Sequence, residues 1–355
     1  MVRLTRAQQQ ERTRAAVLVA ARAEFAERGY ADAKIDRIAE RAELTRGAVY
    51  SNFPSKRALY LAVLVDSLDD AEAPEAPPAA SLGESLGAFA RGRLERLPMS
   101  GDSPAGAGLR LRSVAGLFDD DRGRAALAQV TRLEALLLGL ALESHAPHVR
   151  RVRLAELALT LLTGSGHLAG AAPGFGDPFD VARACRHLAG LDLADAWDPP
   201  HLPYAAPATP VRAAWEPPGE QTDEITGRPA GLAADGVVAV LGTGRLGAAE
   251  EAVRAARPGE RVTVAVVTAD PEEVGRLVRL RIGDTVRCLR RAFPPDAWPG
   301  LRLVLDERGT VAAAAGVPEP DDGTETAVRV RAGEIVARAD GRGAAHAVAA
   351  GGTRV

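Results

Sequence analysis

The chain has 355 residues, 46% apolar but only 4% aromatic, with a net charge of −3; this length predicts two or three domains with aliphatic, alanine-rich cores. The balance of charge excludes a chain that is basic throughout, and neither an apolar N-terminal run nor 18 consecutive apolar residues is present, so the expectation is a cytoplasmic protein with no membrane partner. Cys185 and Cys288 stand far apart with no Cys-x-x-Cys pair, which excludes a dithiol redox centre.

The first 60 residues carry 12 Arg and Lys against 7 Asp and Glu, leaving that stretch at +5 and the remainder at −8. This polarity fits a polyanion-binding head on an acidic body. From Gln8 to Arg28, Leu18, Ala21 and Phe25 recur at helical spacing, and Gly29 ends the run. Ile35, Ile38, Ala39 and Ala42 then form one apolar stripe on a second, two-turn helix. After a break at Glu43 and Leu44, the stretch LTRGAVYSNFPSK (Leu44 to Lys56) opens a third helix, with Thr45 as its cap and Val49 and Phe53 at i and i+4. Pro54 stops it, and Ser55 is the N-cap of a fourth helix from Lys56 to about Ser67.

The outward side of the third helix is the unusual feature. A solvated face carries Glu, Lys and Gln, yet here it holds Gly47, Ala48 and Ser51, flanked by Tyr50 and Asn52. Two short helices joined by a tight break, the second stripped of bulk, predict a helix-turn-helix whose narrow face enters a major groove. Arg46 can reach a guanine edge or a phosphate, and Ser51 and Asn52 offer short donors and acceptors. Tyr50 and Lys56 suit backbone phosphates, and Lys34 can anchor the far rim. The candidate DNA-binding residues are therefore Lys34, Thr45, Arg46, Gly47, Ala48, Tyr50, Ser51, Asn52 and Lys56.

The acidic, Pro-rich segment from Asp69 to Ala80 predicts a loop or linker. Four or five helices follow from 82 to about 190. In one of them Leu127, Val130, Leu133, Leu137 and Leu140 form a buried stripe, and in VRLAELALTLLTGSGHLAG the glycines permit close helix approach. Residues 193–230, rich in Pro and Ala, predict a second linker. Past Asp235 the texture becomes α/β: GVVAVLG, RVTVAVVT and LRLVL as strands, AAEEAVRAA and DPEEVGRLVRL as helices, and a hairpin around Ala332 and Gly333. The Gly- and Ala-rich last dozen residues predict disorder. Cys185, His187 and His167 make a metal site conceivable, but i and i+2 point to different helix faces, so none is expected. His145 and His148 predict solvated loop residues, and no catalytic constellation emerges.

On FAERGY and IDRIAERAELTRGAVYSNFPSKRALYLAVL, residues 8–65 resemble the DNA-binding domain of the TetR family of transcriptional regulators. The resemblance implies a homodimer, usually a repressor, that binds a palindromic duplex operator and is released when a small molecule enters the helical body. Two departures concern the backbone: Ala33 and Lys34 replace the family's common threonines, and Glu43 replaces a turn glycine. Further on, GTGRLG (Gly242 to Gly247) follows a strand and opens a helix, with Asp270 after the next strand, as in a dinucleotide-binding fingerprint. The strand and hairpin order also resembles the thioredoxin-like fold of peroxiredoxins, with no redox cysteines in the strand-to-helix turn. The expected fold is thus multidomain: an all-α helix-turn-helix head (1–67), a helical ligand-binding and dimerisation domain (82–192), a linker (193–230) and a thioredoxin-like α/β domain (231–345). The expected protein is a regulator, not an enzyme, with no cofactor; the alternative is a regulator fused to a Rossmann-like sensor or enzyme module through Gly242 to Gly247.

Overall fold

The structure, a computed structural model, describes residues 5–69, 81–98, 102–172 and 174–351. Helix α1 (Arg6–Asp32) opens with a capping box, in which the Thr5 hydroxyl accepts from Gln8 N and the Gln8 side chain accepts from Thr5 N. Gly29, at φ +71°, breaks the helical path and tilts the last turn. Helices α2 (Ile35–Arg41), α3 (Arg46–Asn52) and α4 (Lys56–Asp69) complete the head, whose core includes Phe25, Ile38, Val49, Phe53, Leu59 and Leu64. Every residue of α4 from Ala58 to Leu64 is buried. A helix apolar all round needs neighbours on more than one side, and here α1 supplies one and a helix from the distant α/β domain supplies the other.

The body comprises α5 (Leu82–Leu94), α6 (Pro104–Arg110), α7 (Asp121–Glu143), α8 (Val152–Ala171) and α9 (Pro178–Leu188). The stripe predicted on α7 is too narrow. Val130, Leu133 and Leu137 are buried, but so are Leu136, Leu138, Ala141 and Leu142, because the α/β domain covers the side of α7 that the body leaves open. Trp298 of that domain donates its indole N–H to Leu137 O at 2.8 Å. Among the described residues α7 is the one helix long and apolar enough to cross a membrane, and it is a core helix here. The glycines expected to bring helices together in α8 do not do so: Gly164 and Gly166 face open space, and the close approach of α7 to α8 occurs at Gly139, where a Cβ would lie 2.9 Å from Val152 Cγ2.

The C-terminal region is a six-stranded mixed sheet in the order β1-β6-β5-β2-β3-β4. Strands β2 (Gly236–Gly242), β3 (Val262–Val267) and β4 (Leu301–Leu305) are parallel, joined by α10 (Ala248–Ala255) and α11 (Arg276–Ala292). The hairpin β5 (Glu325–Arg331) and β6 (Glu334–Asp340) then runs antiparallel to β2, after the short α12 (Thr310–Ala314). Every residue of β2 and β3 is buried, as expected of strands covered on both faces. The helix predicted over DPEEVGRLVRL is a π-helical turn, Pro271–Gly275, running into an α11 twelve residues longer than that reading because Arg281 to Ala292 continue it.

Two predictions fail in this region. Residues 193–230 are not a free linker. Thr209–Ala214 form the edge strand β1 against β6, where Pro210 costs little because an edge has spare N–H positions. Trp215 is buried and donates to Leu232 O, and the fully buried Asp223 accepts from Ile225 N and Leu303 N. The tail is not disordered over Ala344–Ala350 either. These residues form α13, whose Val348 and Ala349 carbonyls accept from the buried Arg329 guanidinium at 2.8 and 2.9 Å. Residues 352–355 and the predicted linker over 70–80 lie outside the described residues.

Candidate nucleic-acid interface

The turn between α2 and α3 is closed by backbone bonds. Glu43 N donates to Glu40 O and Leu44 N to Ala39 O, a Schellman arrangement with Glu43 in the left-handed region at φ +55°. Glycine suits that position, and a Cβ there is strained. Glu43→Gly is therefore expected to stabilise the head by about 1 kcal/mol, read as a higher urea midpoint; an unchanged or lower midpoint would show the turn to be unstrained. The Thr45 hydroxyl caps α3 by accepting from Ala48 N at 3.2 Å. Val49 and Phe53 are buried, as their spacing predicts, which turns the opposite side of α3 outward.

That outward side holds the predicted residues. Arg46, Gly47, Tyr50 and Ser51 are exposed, and Ala48 and Asn52 are half-buried. A Cβ added at Gly47 would meet only Thr45 Oγ1, at 3.8 Å. The Ser51 hydroxyl and the Asn52 amide both donate to Ala48 O at 2.9 Å, so their oxygens are turned toward acceptor roles. Arg46 reaches Asp36 Oδ1 at 3.4 Å and lies 5.5 Å from the Tyr50 ring centre, a pair so exposed that either partner is easily given up. Lys34 is exposed at the start of α2, its N–H directed to Glu24 Oε1.

Lys56 occupies a different setting from the others. Its ammonium donates to Ala31 O at 2.9 Å and lies 4.9 Å from the Tyr30 ring centre, tying the start of α4 to the end of α1. Burial pulls its pKa below the ordinary value, with Asp32 opposing. Sequence reasoning missed Arg14, whose guanidinium donates to Asn52 O at 3.3 Å and lies 4.5 Å from the Phe53 ring centre, holding the C-terminal end of α3. No local spacing reveals that contact, since 38 residues separate the partners.

A short helix packed by Val49, a second short helix before it, and a slim exposed face form a helix-turn-helix. Residues 17–63 match the family model described as "Bacterial regulatory proteins, tetR family". The head is a TetR-family DNA-binding domain. A TetR transcriptional regulator from Rhodococcus sp. RHA1 is similar to the chain in structure, at 21% sequence identity and a TM-score of 0.34, over 52% of this chain and 99% of that one. No curated protein matches the chain. The TetR-type head thus accounts for residues 17–63, and the two departures at Lys34 and Glu43 leave its turn intact.

The second candidate site, Gly242 to Gly247, is packed against the chain itself at Gly242 and Gly244, while Arg245 to Gly247 line a cavity of about 300 Å³. Gly242 N donates to Thr324 O at 2.7 Å, Gly244 N to Asp322 O at 2.8 Å and Gly247 N to Gln129 Oε1 at 2.9 Å. A Cβ at Gly242 would collide with the Asp321 carbonyl, and one at Gly244 would lie 2.7 Å from Asp322 O. The glycines that would let a pyrophosphate approach instead admit the Asp321–Thr324 turn. Asp270, the acidic residue of that fingerprint, caps the π-helical turn by accepting from Glu273 N. As for metals, burial pushes the Cys185 thiol up to about 11, which keeps it protonated; His167 and His187 are exposed. His145 is not simply solvated, since its Nε2 bonds the Ser85 hydroxyl at 2.9 Å.

Proposed function

We propose that the protein is a transcriptional repressor that binds a palindromic operator as a homodimer and leaves it when a small molecule enters the helical body. The reading rests on the slim outward α3 face of Gly47, Ala48 and Ser51, with Gly47 and Ser51 exposed and Ala48 half-buried, narrow enough for a major groove about 12 Å wide. Dimerisation draws support from α8 and α9. Leu157, Leu161 and Leu168 recur along one partly uncovered side of α8, and Phe179 at the start of α9 is 77% exposed. Effector entry draws support from a cavity of about 550 Å³ bounded by Leu97, Ala107, Leu168, Phe175 and Val181. Its wall α6 lies against α1, with Ala105 beside Gly29, so a change at the cavity reaches the head.

The α/β domain is read as thioredoxin-like and non-catalytic. In support, the parallel β2-α10-β3 unit is followed by the antiparallel hairpin and α13, and the N–H groups of Gly242, Gly244 and Gly247 are occupied.

Selection of bound duplexes from a random pool should return an inverted repeat with half-sites one DNA turn, about 34–36 Å, or a multiple apart. Recovery of no preferred duplex at moderate salt would end this reading. On the selected site, Lys56→Ala is expected to weaken binding on all sequences and to lower the salt slope by about one, whereas Arg46→Ala should also relax base preference. Titrations at several salt concentrations decide this; an unchanged slope for Lys56→Ala would remove its phosphate role.

A further inference from the structure

The α/β domain does not hang from the regulator; it grips the reading head. The π-helical turn Pro271–Gly275 and the start of α11 meet α4 at its N-terminus, directly after the recognition helix. The Glu273 carboxylate accepts from the Ser55 hydroxyl, which is the N-cap of α4, and from the Arg57 guanidinium. Arg57 also donates to Leu117 O at 2.9 Å and to Asp120 Oδ2 at 3.0 Å in the segment before α7. One guanidinium therefore joins head, body and α/β domain. Arg276, three residues on from Glu273, donates to Ala58 O at 2.9 Å and lies 5.5 Å from the ring centre of Phe53, the C-cap of the recognition helix.

Apolar packing continues the contact. Leu277 and Leu280 of α11 are buried within the head's own core cluster. Farther along, a Cβ at Gly283 would lie 2.8 Å from Leu68 Cδ1, so the glycine lets α11 lie close against α4. The turn is in turn anchored at the carboxyl ends of the parallel strands. Asp270 caps it, Asp322 accepts from the Thr243 and Thr268 hydroxyls, and Arg122 of α7 pairs with Asp322 and lies 3.8 Å from Asp270.

Resting on the DNA-binding reading above, we propose that Glu273 and Arg276 are positioning residues: the α/β domain holds the recognition helix in one orientation relative to the body, the one that engages the operator. A dimer that must place two helices in successive grooves gains from a fixed orientation, because a loose head loses orientational freedom on binding. Releasing the clamp leaves the α3 face unchanged and removes only its preset direction.

The test uses the full chain with a spin label at Glu40→Cys on the exposed side of α2 and a second at Arg91→Cys on the exposed side of α5, away from the proposed dimer face. Diluted into an excess of unlabelled chain, so that a dimer carries one labelled protomer, the parent should give one narrow distance between head and body. Glu273→Gln and Arg276→Met, made separately, should each broaden that distribution and weaken binding to the selected duplex about tenfold, with the salt slope unchanged. Glu307→Gln, which removes an exposed pair with Arg279 in the same domain, should change neither. A distribution as narrow as the parent's in both variants, or a Kd unchanged or tighter, overturns the proposal. Should the parent bind no duplex, the DNA-binding reading fails, while the distance distributions still decide whether the α/β domain holds the head.

Discussion

Gly47→Glu is expected to fold as well as the parent and to lose duplex binding by at least a hundredfold. The two halves of that result have separate causes. Gly47 is the second residue of α3, exposed and clear of neighbours, so a longer side chain meets no clash. A carboxylate in the first turn also faces the positive end of the helix, and Glu has better helix propensity than Gly, so stability should hold or rise slightly. Duplex binding suffers because the same side chain fills the slim face and brings negative charge toward phosphates. A hundredfold loss corresponds to about 3 kcal/mol. Gel-shift titration beside thermal melting measures both; retained binding with an unchanged melting temperature would show that this face does not enter a groove.

Glu134→Leu is expected to destabilise the fold strongly. Glu134 is fully buried on α7, and its carboxylate accepts from Arg281 at 2.5 Å and from the Thr285 hydroxyl at 2.6 Å, both on α11. Arg93 of α5 donates to the same Thr285 hydroxyl at 3.3 Å. Removing the carboxylate strands two arginines where little water reaches them, a loss of about 3–5 kcal/mol against a total stability of roughly 5–15 kcal/mol. Denaturant unfolding measures it. Pairing the change with Arg281→Met should recover part of the loss, since an uncompensated charge costs more than an absent pair. A single-variant loss below about 1 kcal/mol would mean that water screens the cluster.

The head was legible from its sequence because its determinants are local. A cap at Thr45, apolar spacing at Val49 and Phe53, and stops at Gly29 and Pro54 lie within a few residues of what they control. Strands β2 and β3 were equally plain as short apolar runs. What escaped depends on surfaces meeting across the chain. The edge strand β1 contains Pro210, which argues for a strand only once a sheet edge is there to receive it. Helix α13 is Ala-rich and lacks periodicity, and it is held by Arg329 from β5. The tie from Lys56 to Ala31 crosses 25 residues and the grip of Glu273 on Arg57 crosses 216, so neither has a local signature. A usable signal was present: α4 from Ala58 to Leu64 and α7 from Ala135 to Leu142 are apolar on every side, and a helix segment of that kind must be covered by something more than one neighbouring domain.

The burial of Leu277 and Leu280 in the head also bears on how the molecule is made. At 5–20 residues per second, about 10–40 s separate the emergence of α4 from the ribosome and the arrival of α11. Throughout that interval the nascent chain exposes a greasy flank that belongs to its first-born segment, a natural target for chaperones. A premature stop before Arg276 would make that exposure permanent, so truncated products should aggregate or be degraded instead of persisting as free operator-binding heads.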